Sequence, residues 1–206
     1  MLAHLLFKIR VYISYCLNAL DAHGLHSPFI FDFYNDVIDA KKEFYFFKQF
    51  RELISKSLKQ TPEANALFLY RWTVFYRPNS AFVPNGNFTA SLALSVPSAN
   101  KLLSVSSIQC FSESEMHIFK ELGISITEAN DADLVYLDDI GLDTLEEILK
   151  YNCVIISRPH ESKVKDAIWT DLCALKPVSI SIDLFQFGIL LLHKKQVKQH
   201  FVVKMH

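Results

Sequence analysis

Pro177-Val178-Ser179-Ile180-Ser181-Ile182-Asp183-Leu184-Phe185 runs without a break into Gln186-Phe187-Gly188-Ile189-Leu190-Leu191-Leu192-His193. In the first run, polar and mostly β-branched apolar residues alternate at period two, which reads as a strand with one face buried. The second is a short continuous apolar run, and its length favours a strand buried on both faces over a piece of helix. Between them there is room only for a tight reversal, with Gly188 available to relieve it. Two antiparallel strands closing a chain whose middle alternates strand and helix patterns imply an α/β fold. The expected sheet is mostly parallel, covered by helices, with an antiparallel strand at or near one edge.

Upstream of that pair the alternation is regular. Strand patterns cover 80–83, 101–106, 124–127, 133–137 and 153–156, the last apolar throughout as a central parallel strand should be. Helical patterns cover 88–95 and 161–174. Ser112 with Glu115 forms a capping box for a helix that stops at Gly123, and Asp143 with Glu146 opens another. The first third is all helix: 2–20, 28–40 with Ser27 as cap and Pro28 at the first position, 42–59, and a fourth from Thr61-Pro62 to Pro78. The expected division is a helical extension, 1–60, and a sheet domain, 61–206. Phe33, Phe46 and Phe50 must be hidden on the sheet domain or on a second copy, and a homodimer through these helices is expected.

Composition excludes several classes. With 21 basic and 22 acidic residues the net charge is -1, so no global field recruits nucleic acid or an anionic membrane. The cluster Lys194, Lys195, Lys198 and Lys204 reads as a solvated tail. The aromatic run 29–50 lacks interleaved basic residues, which makes it core or interface and not a base-stacking platform. Mean hydropathy is +0.17, yet no apolar run reaches the roughly 20 residues that span a bilayer. Cys16, Cys110, Cys153 and Cys173 are scattered without metal spacing and read as buried free thiols of a cytoplasmic protein. His23 and His26 flank Gly24 with no third ligand, so no metal site is read. Only five glycines occur, few for a sheet that must approach a nucleotide closely.

Two segments carry a family likeness. His23-Gly24-Leu25-His26-Ser27-Pro28-Phe29-Ile30-Phe31 and Ile182-Asp183-Leu184-Phe185-Gln186-Phe187-Gly188-Ile189, followed by Lys198-Gln199-His200-Phe201, resemble conserved-looking segments of a bacterial branch of the class I S-adenosylmethionine-dependent methyltransferases. The resemblance implies a three-layer Rossmann-like sheet with an antiparallel C-terminal strand, and a methyl donor bound after the first strand. It places the donor against Val83, Asn85, Gly86, Ser106 and Asp138. On the same spacing, Phe82 stands where the family has an acidic residue, Pro84 and Phe88 where it has glycines, and Ser106 where it has the ribose carboxylate. Pro84 has no N–H to give, and a hydroxyl cannot match a carboxylate on vicinal hydroxyls. The implied protein is methyltransferase-like with an eroded donor site, binding S-adenosylmethionine weakly or not at all. Its acceptor, small molecule or protein, is unassigned. Three local alternatives stay open: Val83–Gly86 as an ordinary β-turn with Asn87 capping a helix, Asp138 as ligand-edge residue or turn cap, and His160, beside Arg158, as general base or surface residue. The rival to an enzyme is a non-catalytic scaffold that binds a partner.

Overall fold

The computed structural model describes residues 2–21, 27–40, 44, 46–55, 62–193, 195 and 197–205. The chain divides into two compact units, Met1–Leu25 with Leu134–His206, and His26–Asp133. The first begins with helix α1 (Leu2–Asn18).

The unit His26–Asp133 opens with α2 (Pro28–Phe33), which has Pro28 in its first turn; Ser27 holds the cap position but its side chain makes no cap bond. The helix then widens into a π-turn over Tyr34–Ile38. Helices α3 (Phe46–Ser55) and α4 (Glu63–Tyr76) follow, and α4 ends where Arg77 turns left-handed just before Pro78. Phe33 and Phe50 are fully buried and Phe46 is half-buried, with the Phe33 ring edge-on to Trp72 at 5.3 Å. These three rings are thus covered, fully or in part, within this unit. Strands β1 (Ser80–Phe82), β2 (Leu102–Val105) and β3 (Ser125–Glu128) pair in parallel in the order β3-β2-β1. Between them run α5 (Phe88–Ser95) and α6 (Glu113–Glu121), and α6 carries the expected capping box, with Ser112 and Glu115 each bonding the other's backbone N–H.

In the other unit β4 (Leu134–Leu137) is followed by a single turn, α7 (Thr144–Glu147). The expected Asp143–Glu146 cap does not form: Asp143 is already helical and its side chain makes no cap bond, while Thr144 Oγ1 accepts from the Gly141 N–H. Strand β5 (Cys153–Ser157) and helix α8 (Lys163–Ala174), capped by Ser162, lead to β6 (Val178–Asp183) and β7 (Phe187–Leu192). A further strand, β8 (Gln199–Val202), lies parallel to β6, giving the order β4-β5-β7-β6-β8 with only β7 reversed. The basic C-terminal stretch is therefore not a solvated tail: Lys198 Nζ donates to Leu175 O at 2.8 Å, and the backbone continues the sheet.

Two expectations about the closing hairpin change. Every residue of β5, β6 and β7 is buried, and because successive side chains point to opposite faces, both faces of these strands are covered. The polar face of β6 is not a wet face. Nor does Gly188 relieve the reversal. It sits within β7 opposite Asp183, where the ring of Trp169 lies 2.5 Å from the position a Cβ would take. The reversal falls on Phe185, whose φ of 64° is left-handed for a bulky residue. The Gln186 N–H donates back to Leu184 O at 2.8 Å, a strained γ-turn.

Candidate functional site

The expected donor residues form a closed turn. Gly86 donates its N–H to Val83 O at 3.0 Å, and its φ is 61°. Val83 itself is buried, its N–H given to Ser104 O at 2.9 Å. Asn87 Oδ1 accepts from the Ala90 N–H at 3.1 Å, which caps α5. The β-turn and N-cap readings are the ones realised. The open side of Gly86 is occupied as well, since an added Cβ would run into Cys110 Sγ. Asn85 and Ser106 are exposed, and Ser106 gives its N–H to Pro84 O at 3.4 Å. Phe88 is buried edge-on to Phe119 at 5.3 Å, filling core, and Phe82 is buried too. Asp138 follows β4 in the other unit and is half-buried; its neighbour Asp139 accepts the Ile140 N–H at 2.9 Å and pairs with Lys165 at 2.8 Å. His23 and His26 lie outside the described residues.

The most constrained chemistry is elsewhere, around His160. Its ring is 8% exposed. Nδ1 lies 2.6 Å from Asp166 Oδ1 and Nε2 lies 2.8 Å from Asp183 Oδ2. Two ionised carboxylates can both be satisfied only if both ring nitrogens donate, so the group is an imidazolium held between two anions. Burial by itself would lower its pKa; the bonds to Asp183 and then Asp166 outweigh that and raise it above the ordinary 6.5. With no lone pair free, His160 is not a general base, and at this burial it is not a surface residue either. Arg158 is tied off as well, at 2.7 Å from Glu161, which also takes Lys165 at 2.6 Å.

Three elements set this cluster. His160 follows β5, Asp183 ends β6, and Asp166 sits in the first turn of α8. All three lie at the carboxyl ends of parallel strands or the helix between them, the edge at which sheets of this type hold ligands. Asp183 Oδ1 also accepts the Phe185 N–H at 2.8 Å, and the Phe185 ring stacks on His160 at 5.6 Å. Tyr12 and Tyr15 of α1 complete the aromatic cover, at 5.0 and 5.3 Å from Phe185. Tyr15 Oη donates to Val203 O at 2.7 Å, and burial pushes its pKa up to about 12. Arg158 and Phe185 both adopt left-handed backbone here, with Arg158 N–H bonded to Gln186 O at 2.9 Å. Such strain gathers where a site needs it. Beside the cluster opens a cleft of about 870 Å³. Sequence reasoning found His160 alone. Asp183 was readable as the last polar position of β6, but Asp166 carries no signal until α8 is placed.

All four cysteines are free, and Cys16 and Cys110 are exposed instead of buried. No described helix is long and apolar enough to cross a membrane.

No family model and no curated protein matches the sequence. Solved structures do. The chain is similar to a methyltransferase from Geobacter sulfurreducens at a TM-score of 0.54 and 11% identity, covering 75% of this chain and 93% of that one. It is also similar to the SAH-bound methyltransferase PaMTH1 of Podospora anserina, at a TM-score of 0.47 and 10% identity, over 90% and 94% of the two chains. The first likeness gives the fold: α/β, Rossmann-like and methyltransferase-like, mostly parallel with an antiparallel strand near its C-terminal end.

Proposed function

We propose that this chain is a methyltransferase-fold protein whose donor site has closed, so that it binds S-adenosylmethionine weakly or not at all and transfers methyl groups slowly or never. The observation that carries this reading is Gly86. A donor carboxylate needs free amides and an open backbone at the turn after the first strand. Here the one glycine amide is spent within the turn and its open face is packed on Cys110. Val83, Asn85, Gly86 and Ser106 are the residues a donor would meet in this unit, and they do not fit it: Val83 is buried, the Gly86 amide is already bonded, and Ser106 has a hydroxyl in place of a carboxylate. Each contact missing or poorly made costs on the order of 1–3 kcal/mol. Three of them would move a micromolar affinity to millimolar or beyond. Four free thiols fit a reducing, cytoplasmic setting. Calorimetric titration of the whole chain with S-adenosylmethionine tests the reading; saturation in the micromolar range would overturn it.

A second reading, that of an interaction module, is favoured by α1. Leu5, Ile9, Ile13 and Leu17 form one i,i+4 ridge with exposures of 54, 47, 53 and 81%, joined by Leu6 and Tyr12. The occupant we assign is a second copy. The ridge reads the same in both directions, so an antiparallel two-fold pairing sets Leu5 on Leu17 of the partner subunit and Ile9 on Ile13 of the partner subunit, as an isologous interface requires. Six half-exposed side chains at roughly 100 Å² each give about 1,200 Å² over two copies, the lower bound for a stable interface. Sedimentation velocity should find a dimer that Ile9→Glu converts to monomer. A monomer at every concentration, whether or not it adsorbs to anionic vesicles, would overturn the assignment.

A further inference from the structure

The cleft beside His160 has a charge pattern that the fold itself does not use. It lies between α1 and the carboxyl ends of β6 and β8, with His160, Asp166 and Asp183 at its base. Both carboxylates are already bonded to the imidazolium, and Asp183 takes a backbone N–H besides. That trio carries one surplus negative charge. Facing it are two cations, Arg10 from α1 and Lys163 at the first position of α8. Among the described residues neither forms an ion pair or a hydrogen bond. With His200 counted neutral, the lining has one positive charge in excess.

Lys163 stands at the first position of α8, where its exposed ammonium opposes the helix dipole and, among the described residues, forms no ion pair. Apolar side chains share the lining: Phe7, Val11 and Val202 are half-buried and Leu20 is 39% exposed. Beside it, the left-handed Phe185 gives its N–H to Asp183 Oδ1, and the left-handed Arg158 gives its own to Gln186 O.

We propose that this cleft binds a small organic carboxylate with an apolar body. Arg10 receives the carboxylate through its planar fork, Lys163 adds a second charge-assisted bond, and the apolar part lies on Phe7, Val11, Leu20 and Val202. One excess positive charge matches a monoanion. A phosphate monoester dianion would overshoot it and would press on Asp166 and Asp183. The site is independent of the donor turn, so the fate of S-adenosylmethionine binding leaves it untouched.

The probes are phenylacetate and hexanoate, titrated by calorimetry into the full chain, with phenylethanol as the uncharged control and phenyl phosphate as the dianion. Saturable one-to-one binding of at least one carboxylate is expected, with phenylethanol bound at least tenfold more weakly. Arg10→Gln with Lys163→Gln should weaken the carboxylate at least tenfold, whereas Arg10→Lys with Lys163→Arg should recover most of that loss. Both positions are exposed, and a thermal melt unchanged by either pair shows that the fold is intact. The proposal is overturned if neither carboxylate saturates, if phenylethanol binds equally, if the glutamine pair changes nothing, or if phenyl phosphate binds more tightly than both carboxylates.

Discussion

Replacing His160 by glutamine tests the buried cluster most directly. The substitution keeps one hydrogen-bonding arm but removes the positive charge between Asp166 and Asp183. Asp183 is 7% exposed and would retain the Phe185 N–H as its neighbouring donor. Removing one partner of a buried ion pair typically costs about 3–5 kcal/mol, because the remaining charge is desolvated and unopposed. For a chain of this size that is a fall in Tm of roughly 6–20 °C. The pH dependence gives a second, independent reading. The folded pKa of His160 lies above its unfolded value near 6.5, since Asp183 and Asp166 outweigh the opposing effect of burial. Its stabilising contribution is therefore complete below pH 6.5 and is lost as pH rises through the folded pKa. Urea unfolding of wild type should weaken progressively above pH 6.5, and His160→Gln should lack that slope. His160→Leu with Asp183→Asn, which removes both charges, should recover part of the loss. A His160→Gln chain within about 1 kcal/mol of wild type, or a wild type equally stable at pH 6 and at high pH, would refute the imidazolium assignment.

Two further substitutions probe the frame that holds this site. Gly188→Ala would push a methyl into the Trp169 ring, at 2.5 Å in a buried setting that cannot yield; an overpacking loss of about 1–3 kcal/mol is expected in a thermal melt, and an unchanged Tm would contradict it. Ser112→Ala removes the hydroxyl half of the α6 capping box; its denaturation midpoint should fall by the equivalent of about 1 kcal/mol at unchanged m-value, and no shift would mean that the box is ornamental.

The sheet was legible because its signals are local. An apolar run such as 153–156 or 188–192 has no partner to wait for: it must be covered on both faces, and it is. The capping box at Ser112 reads itself within four residues. What failed were inferences that needed a neighbour. Asp143 looked like a cap, but its side chain makes no cap bond, and the Gly141 N–H goes to Thr144 Oγ1 instead. Gly188 looked like a turn residue, and only the position of Trp169, nineteen residues earlier, shows that it is a packing glycine. The strand β8 hides in a basic stretch because an edge strand needs charge to discourage further pairing. The donor turn was half legible. Pro84, without an N–H, and Phe88, with a bulky ring, can be read from the sequence, whereas the packing of Cys110 against Gly86 depends on a thiol 24 residues away.

The polar alternation in β6 holds the wider lesson. Period-two alternation states that the two faces of a strand differ in polarity; it does not state that the polar face is wet. When both sides are covered, each polar residue on the strand must find a partner or cost free energy. Ser181 finds His200 Nδ1 at 2.8 Å, and Asp183, which cannot remain buried as a lone anion, finds His160. The imidazolium then needs a second acceptor, and Asp166 supplies it from α8. The His160 cluster thus follows from one decision, the burial of β6 on both faces by α8 and the elements opposite. Had one face of β6 remained solvated, Asp183 would have been hydrated and His160 an ordinary loop residue. Pairing with β8 makes β6 interior to the sheet, and the cover on its two faces turns what reads as a surface pattern into a buried charge network. That network fixes the base of the cleft whose lining Arg10 and Lys163 leave positive.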